Sequence, residues 1–396
     1  LNSSAPPTGP LAGLRVLDLT TVIMGPYGTR ILGDLGADVV KIEPPEGDTF
    51  RNYGPLRHEQ MNGSVLNLHR NKRSVRLDLK DEGAREALRK LIADADVLVH
   101  NLRPQAAARA GLDWDSVSRI NPRMVLCAAR GFSQAGPYGD KAAYDDLLQA
   151  GSGYSAFVEQ TTGQAGYAPT AWCDKVGGQA IATAVMGALL HRERGGSGQE
   201  VEVPMFEVAI DFMLVEHFGP AAFEPALGPA GFKRQLARDR RPYRTQDGWA
   251  CILPYSDRNW KDFFAFIGQP ELGDDPRYQK LTDRVTHIDS LYRLVAEHAP
   301  GHTTQEWVAF CDRVSIPCMP VLRIEDLQHD PHVVATSFMA VAEHPSEGAY
   351  HLVQSPLRFG ATPYSLQRHA PRVGEHTAEV LREAGVSESE VARLAH

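Results

Sequence analysis

Alternation of short apolar runs with helical spacing at the amino end constrains this chain more than any other feature. Leu14-Arg-Val-Leu-Asp-Leu19 reads as a buried strand, Gly25 to Gly36 as a helix closed by the Gly36-Ala-Asp38 turn, and Val39-Val-Lys-Ile-Glu43 as the next strand. Strand, helix and strand within about 30 residues predict a right-handed parallel unit. Ser74–Leu79, Val97–Asn101 and Met124–Ala128 are further extended pieces. Glu82–Ala95 is a helix with Ala84, Leu88, Leu91 and Ile92 on one face. The alternation predicts an α/β fold with a doubly wound parallel sheet.

Asp174 to Arg192 is the longest helix candidate, and its many Gly and Ala residues predict close packing at the centre of the fold. Gly195-Gly-Ser-Gly198 stops it, and a strand at Glu200–Val203 and a helix at Phe206–His217 follow. Residues 219–231 are rich in Ala, Gly and Pro and read as a linker. A compact segment runs from Tyr243 to about Val321, with helices near 257–267, 290–299 and 304–314. Beyond Asp330-Pro331 come strands at 338–342 and 351–353 and two closing helices, 377–384 and 387–395.

Length and charge narrow the function classes. A chain of 396 residues predicts two or three domains. Its 41 basic and 49 acidic side chains give a net charge of −8, which argues against a nucleic-acid coat but not against a local anion site. Leu1–Pro10 lacks the basic and apolar regions of a signal peptide, and the apolar stretch 180–190 is about half a membrane span. Five scattered cysteines without a C-x-x-C argue against a disulfide framework or structural zinc, and point to a reducing cytoplasm.

Several motifs can be weighed on chemistry alone. Thr20-Thr-Val-Ile-Met-Gly-Pro-Tyr-Gly28 has G-x-x-G in place of G-x-G-x-x-G, and Pro26 removes an N–H that could hold a pyrophosphate. No P-loop occurs, and no G-x-S-x-G elbow. His329-Asp-Pro-His332 reads as a helix start, with Asp330 before a Pro at the first helical position. The run Lys233 to Arg244 holds six cations and one acid; it is either a solvated loop or an anion-capturing segment. Asp174 opens the small-residue helix. Its simplest role is an N-cap, yet a carboxylate held ionised by the helix end is also what a carboxylate nucleophile needs. The residue pattern leaves both readings open.

Leu11-Ala-Gly-Leu-Arg-Val-Leu-Asp-Leu-Thr20, Gly25-Pro26, Leu32 to Glu43 and Gly47-Asp48 resemble the opening of the class III CoA-transferases. That family includes carnitine CoA-transferase, formyl-CoA transferase and α-methylacyl-CoA racemase. The resemblance continues in order through Asn71-Lys-Arg-Ser74, Leu77-Asp78, Asn101-Leu-Arg-Pro104, Tyr144-Asp145, Gln149 to Gly153, Gly198-Gln199, Asp247-Gly248, Ile316 to Val321, His329-Asp-Pro331 and Gly374-Glu-His-Thr377. It implies a Rossmann-like large CoA-binding domain built from 1–218 and 330–396, with a smaller α/β domain inserted at 219–329. It also implies an interlocked homodimer.

By the same resemblance Asp174 is the catalytic nucleophile, passing through an aspartyl anhydride and an aspartyl-CoA thioester. Coenzyme A enters as acyl-CoA co-substrate, with no metal and no nucleotide cofactor. The resemblance assigns Val22, Leu77, Lys80, Asn101, Leu102 and Arg109 to CoA, Lys80 and Arg109 being suited to its phosphates. Lys141 joins them one residue off the register of some members. Ile23, Tyr53 and Tyr144 match positions near the reacting centre. The implied partners are a second copy of the chain, small carboxylic acids and acyl-CoA, with neither nucleic acid nor membrane.

Departures bear on substrate. The racemase branch has His where Tyr144 stands, and a phenol titrating near 10 exchanges an α-proton poorly. The formyl-CoA branch has Gln where Ile23 stands and a glycine-rich active-site loop that 225–249 lacks, which argues against oxalate or formate. The leading expectation is CoA transfer from an acyl-CoA donor such as succinyl-CoA to a carboxylic acid. An acyl-CoA racemase or epimerase and a non-catalytic CoA-binding protein are the alternatives.

Overall fold

The computed structural model describes residues 8–395, which divide into two compact units. The first comprises the residues up to Ser152, Ala168–Phe212 and those from His332 onward; the second comprises Gly153–Tyr167 and Met213–Pro331.

A six-stranded parallel sheet organises the first unit. Its strands are β1 (Arg15–Leu19), β2 (Asp38–Glu43), β3 (Lys72–Arg76), β4 (Val97–His100), β5 (Val125–Arg130) and β6 (Gln199–Pro204). They lie in the order β3-β2-β1-β4-β5-β6, so the chain reverses direction across the sheet between β1 and β4. This is the doubly wound order that the sequence alternation predicts, and it opens a crevice where the carboxyl ends of those strands diverge.

Neighbouring residues of each central strand feed opposite cores, as a period of two requires. Leu17, Val40, Leu98 and Leu126 pack with Leu88 and Leu91, and with Val380 and Leu381 from the closing helices. Val16, Val39, Val97 and Val125 pack on the other face with Leu32, Ile181 and Val185. Burial on both faces is why these strands read as unbroken apolar runs.

The third strand lies two residues earlier than its apolar pattern suggests, because it carries charge that is buried and paired. Lys72 bonds Asp18 at 2.9 Å, and Arg73 pairs with Asp38 and with Glu379 and Glu383 of a closing helix. Hydrophobicity could not flag those positions as strand interior.

Helix α1 (Met24–Asp34) lies against α2 (Trp172–Glu193), the small-residue helix. A Cβ on Gly178 would come within 2.7 Å of the Met24 carbonyl oxygen, and one on Gly28 within 2.8 Å of the Gly178 carbonyl oxygen. Glycine is therefore required on both sides of this crossing, and the contact brings the amino ends of the two helices to one side of the sheet.

The second unit has a three-stranded antiparallel sheet of Tyr243–Arg244, Trp249–Ile252 and Cys318–Pro320. Helices Asp257–Phe266, Ile288–His298 and Thr304–Val314 supply its aromatic core, including Trp260, Phe263, Tyr292 and Trp307. Capping boxes at Ser256/Asn259 and Thr303/Glu306 start two of those helices. The basic run is partly tied down there: Arg234 donates to the Tyr292 hydroxyl at 2.8 Å, and Lys233 to the Thr286 carbonyl at 2.7 Å. A short helix does begin at Pro331. Among the described residues no helix is long and apolar enough to cross a membrane.

Candidate active site

A cleft opens at the carboxyl ends of β1, β4 and β5, where the strand order reverses. Thr21, Val22, Ile23 and Met24 follow β1; Asn101, Leu102 and Arg103 follow β4; Arg130 and Gly131 end β5. Gln134, Lys141, Tyr144, Asp174 and Met205 also line the cleft. Of the residues that the resemblance assigns to a site, Val22, Ile23, Asn101, Leu102, Lys141, Tyr144 and Asp174 line this one cleft. Four others are not among the lining residues. Leu77 is buried in a core beside the sheet, Lys80 and Arg109 are exposed, and Tyr53 is exposed and stacked on Phe50.

Asp174 differs from its simplest reading. Helix α2 starts at Trp172, so Asp174 is its third residue and not the N-cap. Its backbone N–H donates to the buried Asp145 carboxylate at 3.0 Å. Asp145 in turn accepts from the Gln149 amide, whose oxygen accepts from the Ala168 N–H at 2.8 Å. The half-buried Asp174 carboxyl is consequently not held in the ordinary ionised range. Burial, reinforced by the Asp145 charge and opposed by Lys175, pushes it up to about 7. The neighbouring Cys173 thiol is pushed up to about 12, by burial first and by the same two carboxylates, so it stays protonated at neutral pH.

The cleft wall also carries positive charge. Arg103, Arg130 and Lys141 all line the cleft. Arg130 is paired with Glu202 at 3.1 Å, and Glu202 also accepts from the Ser133 hydroxyl and the Gln134 N–H, each at 3.0 Å. That carboxylate therefore fixes the turn that presents Gln134. Lys141 lies over the Tyr138 ring at 3.7 Å. His100, buried under the cleft, is pushed down to about 4 by desolvation and by Arg130. As a neutral imidazole it accepts the Leu102 N–H at 3.2 Å and holds the turn after β4. The amino end of α1 borders the same cleft without a side-chain cap. Cations and backbone donors suit an anionic ligand.

Arg103, Arg130, Gln134 and Asp145 were not singled out from sequence chemistry. A general signal did exist for Arg103 and Arg130, since both follow apolar strands at the sheet's carboxyl edge, where ligands of open α/β sheets bind. No group of three or more His, Cys, Asp or Glu among the described residues is arranged for a metal ion.

Residues 11–377 match the family described as CoA-transferase family III. The chain belongs to CoA-transferase family III. It is accordingly an enzyme of the CoA-transferring type. It is 30% identical over 385 residues to a succinate–glutarate CoA-transferase of Agrobacterium fabrum, covering 94% of this chain and 95% of the relative. It is also 30% identical over 412 residues to a formyl-CoA:oxalate CoA-transferase of Escherichia coli, covering 97% and 98%. Among solved structures, a CaiB/BaiF family protein from Brucella suis superposes with a TM-score of 0.81 at 27% identity, covering 95% of this chain and 100% of that one. A hypothetical protein from Mycobacterium tuberculosis does so with a TM-score of 0.81 at 26% identity, covering 94% and 99%. The parallel α/β fold of this family III member agrees with the architecture expected from its sequence.

Proposed function

We propose that this enzyme moves CoA between two carboxylic acids with Asp174 as the nucleophile. The observation that carries the reading is a carboxyl group titrating near neutrality in a cation-lined cleft at the sheet's switch point. The ionised Asp174 oxygen attacks the donor thioester carbonyl; the C–S bond breaks, leaving an aspartyl–acyl anhydride and CoA thiolate. The thiolate attacks the Asp174 carbonyl carbon, releasing the donor acid and forming the aspartyl-CoA thioester. The acceptor carboxylate displaces the thiolate to give a second anhydride. Attack of the thiolate on the acceptor's carbonyl then yields the new acyl-CoA and frees Asp174. Each step preserves an activated acyl bond, so no other energy source is consumed.

Asn101, Leu102, Val22 and Lys141 would contact CoA, with Arg103 and Lys141 drawn to its phosphates. Arg130 and the donors at the amino end of α1 are suited to negative charge developing at the reacting carbonyl. A donor such as succinyl-CoA is supported by the succinate–glutarate relative. Ile23 and the exposed Tyr144 would shape the acyl pocket. A homodimer is the assembly that the family resemblance implies.

Succinyl-CoA mixed with glutarate, oxalate and other acids, followed by mass spectrometry of the acyl-CoA pool, tests the reaction. Exchange with at least one acid is expected, and none with any acid sinks the proposal. With succinyl-CoA present, the mass of the peptide containing Asp174 should rise by one CoA less one water; an adduct elsewhere moves the nucleophile. Sedimentation should give twice the chain mass, and a monomer overturns the dimer.

A further inference from the structure

Thr20, Thr21 and Val22 leave β1, and the last two form part of the cleft wall. Each of the three is gripped by a different side chain. Lys41 Nζ donates to the Thr20 carbonyl at 2.8 Å. Asn101 accepts the Thr21 N–H and donates to its carbonyl, both at 3.2 Å. Asp48 accepts the Val22 N–H with its two oxygens at 3.1 and 3.2 Å. Lys41 and Asp48 are fully buried and pair at 3.2 Å. Asp48 also accepts the Phe50 N–H at 3.0 Å, while its own N–H donates to Glu43 at 3.1 Å.

The consequence is local strain beside the reacting groups. Val22 has φ of 71°, in the left-handed region that a β-branched residue avoids. Such a conformation persists only where its surroundings over-determine it. The bond from the Val22 N–H is the one that acts on this residue itself, and its acceptor is charged. Asparagine is a poor substitute for that acceptor. Three donors converge on the carboxylate, and an amide would turn an NH2 towards one of them.

We propose that Asp48 is a positioning residue for CoA transfer: its carboxylate holds Val22 in the left-handed conformation that shapes the acyl-CoA wall of the cleft. This rests on the reading that acyl-CoA binds there. Asp48 touches no reacting atom and acts through Val22.

The test compares Asp48→Asn, Asp48→Glu and Val22→Gly with the double variant Asp48→Asn/Val22→Gly. Glutamate keeps the charge beside Lys41 but displaces the oxygens from Val22, so one variant retains the buried ion pair. KM for succinyl-CoA, kcat and the Kd of free CoA are measured on each. KM and Kd should rise on the order of tenfold in both Asp48 variants. The rise should be smaller on the Val22→Gly background, because glycine adopts this φ without a Cβ clash. A merely structural role would lower the folded fraction, and with it the apparent kcat, leaving KM and Kd unchanged. Unchanged constants in whichever Asp48 variant folds overturn the proposal, as does an equal rise on both backgrounds. Wild-type protein that neither binds CoA nor exchanges it refutes the reaction reading instead. Hydrogen exchange at the Val22 amide then decides the positioning role, with protection lost in Asp48→Glu expected and protection retained overturning it.

Discussion

Asp18 is fully and Asp174 partly withdrawn from water in the same unit, and they end in opposite states. Burial by itself would push the Asp18 carboxyl up. Lys72 and Lys41, with hydrogen bonds from Thr20 and Thr29, outweigh it and hold that carboxyl well below the usual range. Asp174, only half-buried, meets a smaller desolvation with another carboxylate, Asp145, beside it and one exposed lysine opposing, and rises to about 7. Burial sets the size of the electrostatic stakes; the neighbours set the sign. One aspartate becomes a permanent charge that builds the sheet, and the other a group that gains and loses its proton near neutrality.

Loss of the Asp174 carboxylate should have the largest effect on activity. Asp174→Asn should lower turnover at least about a thousandfold, measured as single-turnover acyl-CoA exchange. It should also sharpen the stability contrast. Because the folded Asp174 titrates above its ordinary 3.8, stability is lost as pH rises from about 4 through 7. The amide should therefore raise the melting temperature at pH 8 and leave it nearly unchanged at pH 4; an equal shift at both contradicts the raised pKa.

Asp18→Asn strips the buried Lys72 of its ion-pair partner and leaves Lys41 with Asp48. It should cost roughly 3–5 kcal/mol in urea unfolding, and a loss below about 1 kcal/mol would mean the pair is not desolvated in solution. Gly178→Ala tests the helix crossing that places Asp174, and should cost about 1–3 kcal/mol through overpacking against Met24 and Gly28. The smallest effect belongs to Asp145→Asn. For the wild type, kcat/KM should climb with pH and level off above about 7, as Asp174 ionises. Removing the like charge should shift that limb downward, and an upward shift would assign it to another group.

Much of the sheet was legible because its strands are apolar on both faces, and Leu17, Val40 and Leu98 need no distant partner to be recognised. The small-residue stripe likewise announced a close helix crossing. Lys72 and Arg73 were not legible as strand interior, since the acids that make their burial tolerable lie 54 and 35 residues away in the chain. Within the site, Asp174 stood out by its place ahead of that stripe. The ordered motifs tied Val22, Asn101 and Tyr144 to it through a resemblance, not through spacing.

The α/β alternation and the family are legible in local order: periodicity, turn residues and motifs in series. Which charges meet is a property of the folded chain. Folding set Asp145 against the amino end of α2, put Arg130 and Arg103 on the rim that holds Asp174, left Lys80 and Arg109 outside the cleft, and closed Asp48 on Val22. Electrostatic and hydrogen-bond energies depend on separations of a few ångströms between groups far apart in the chain, and only folding sets those separations.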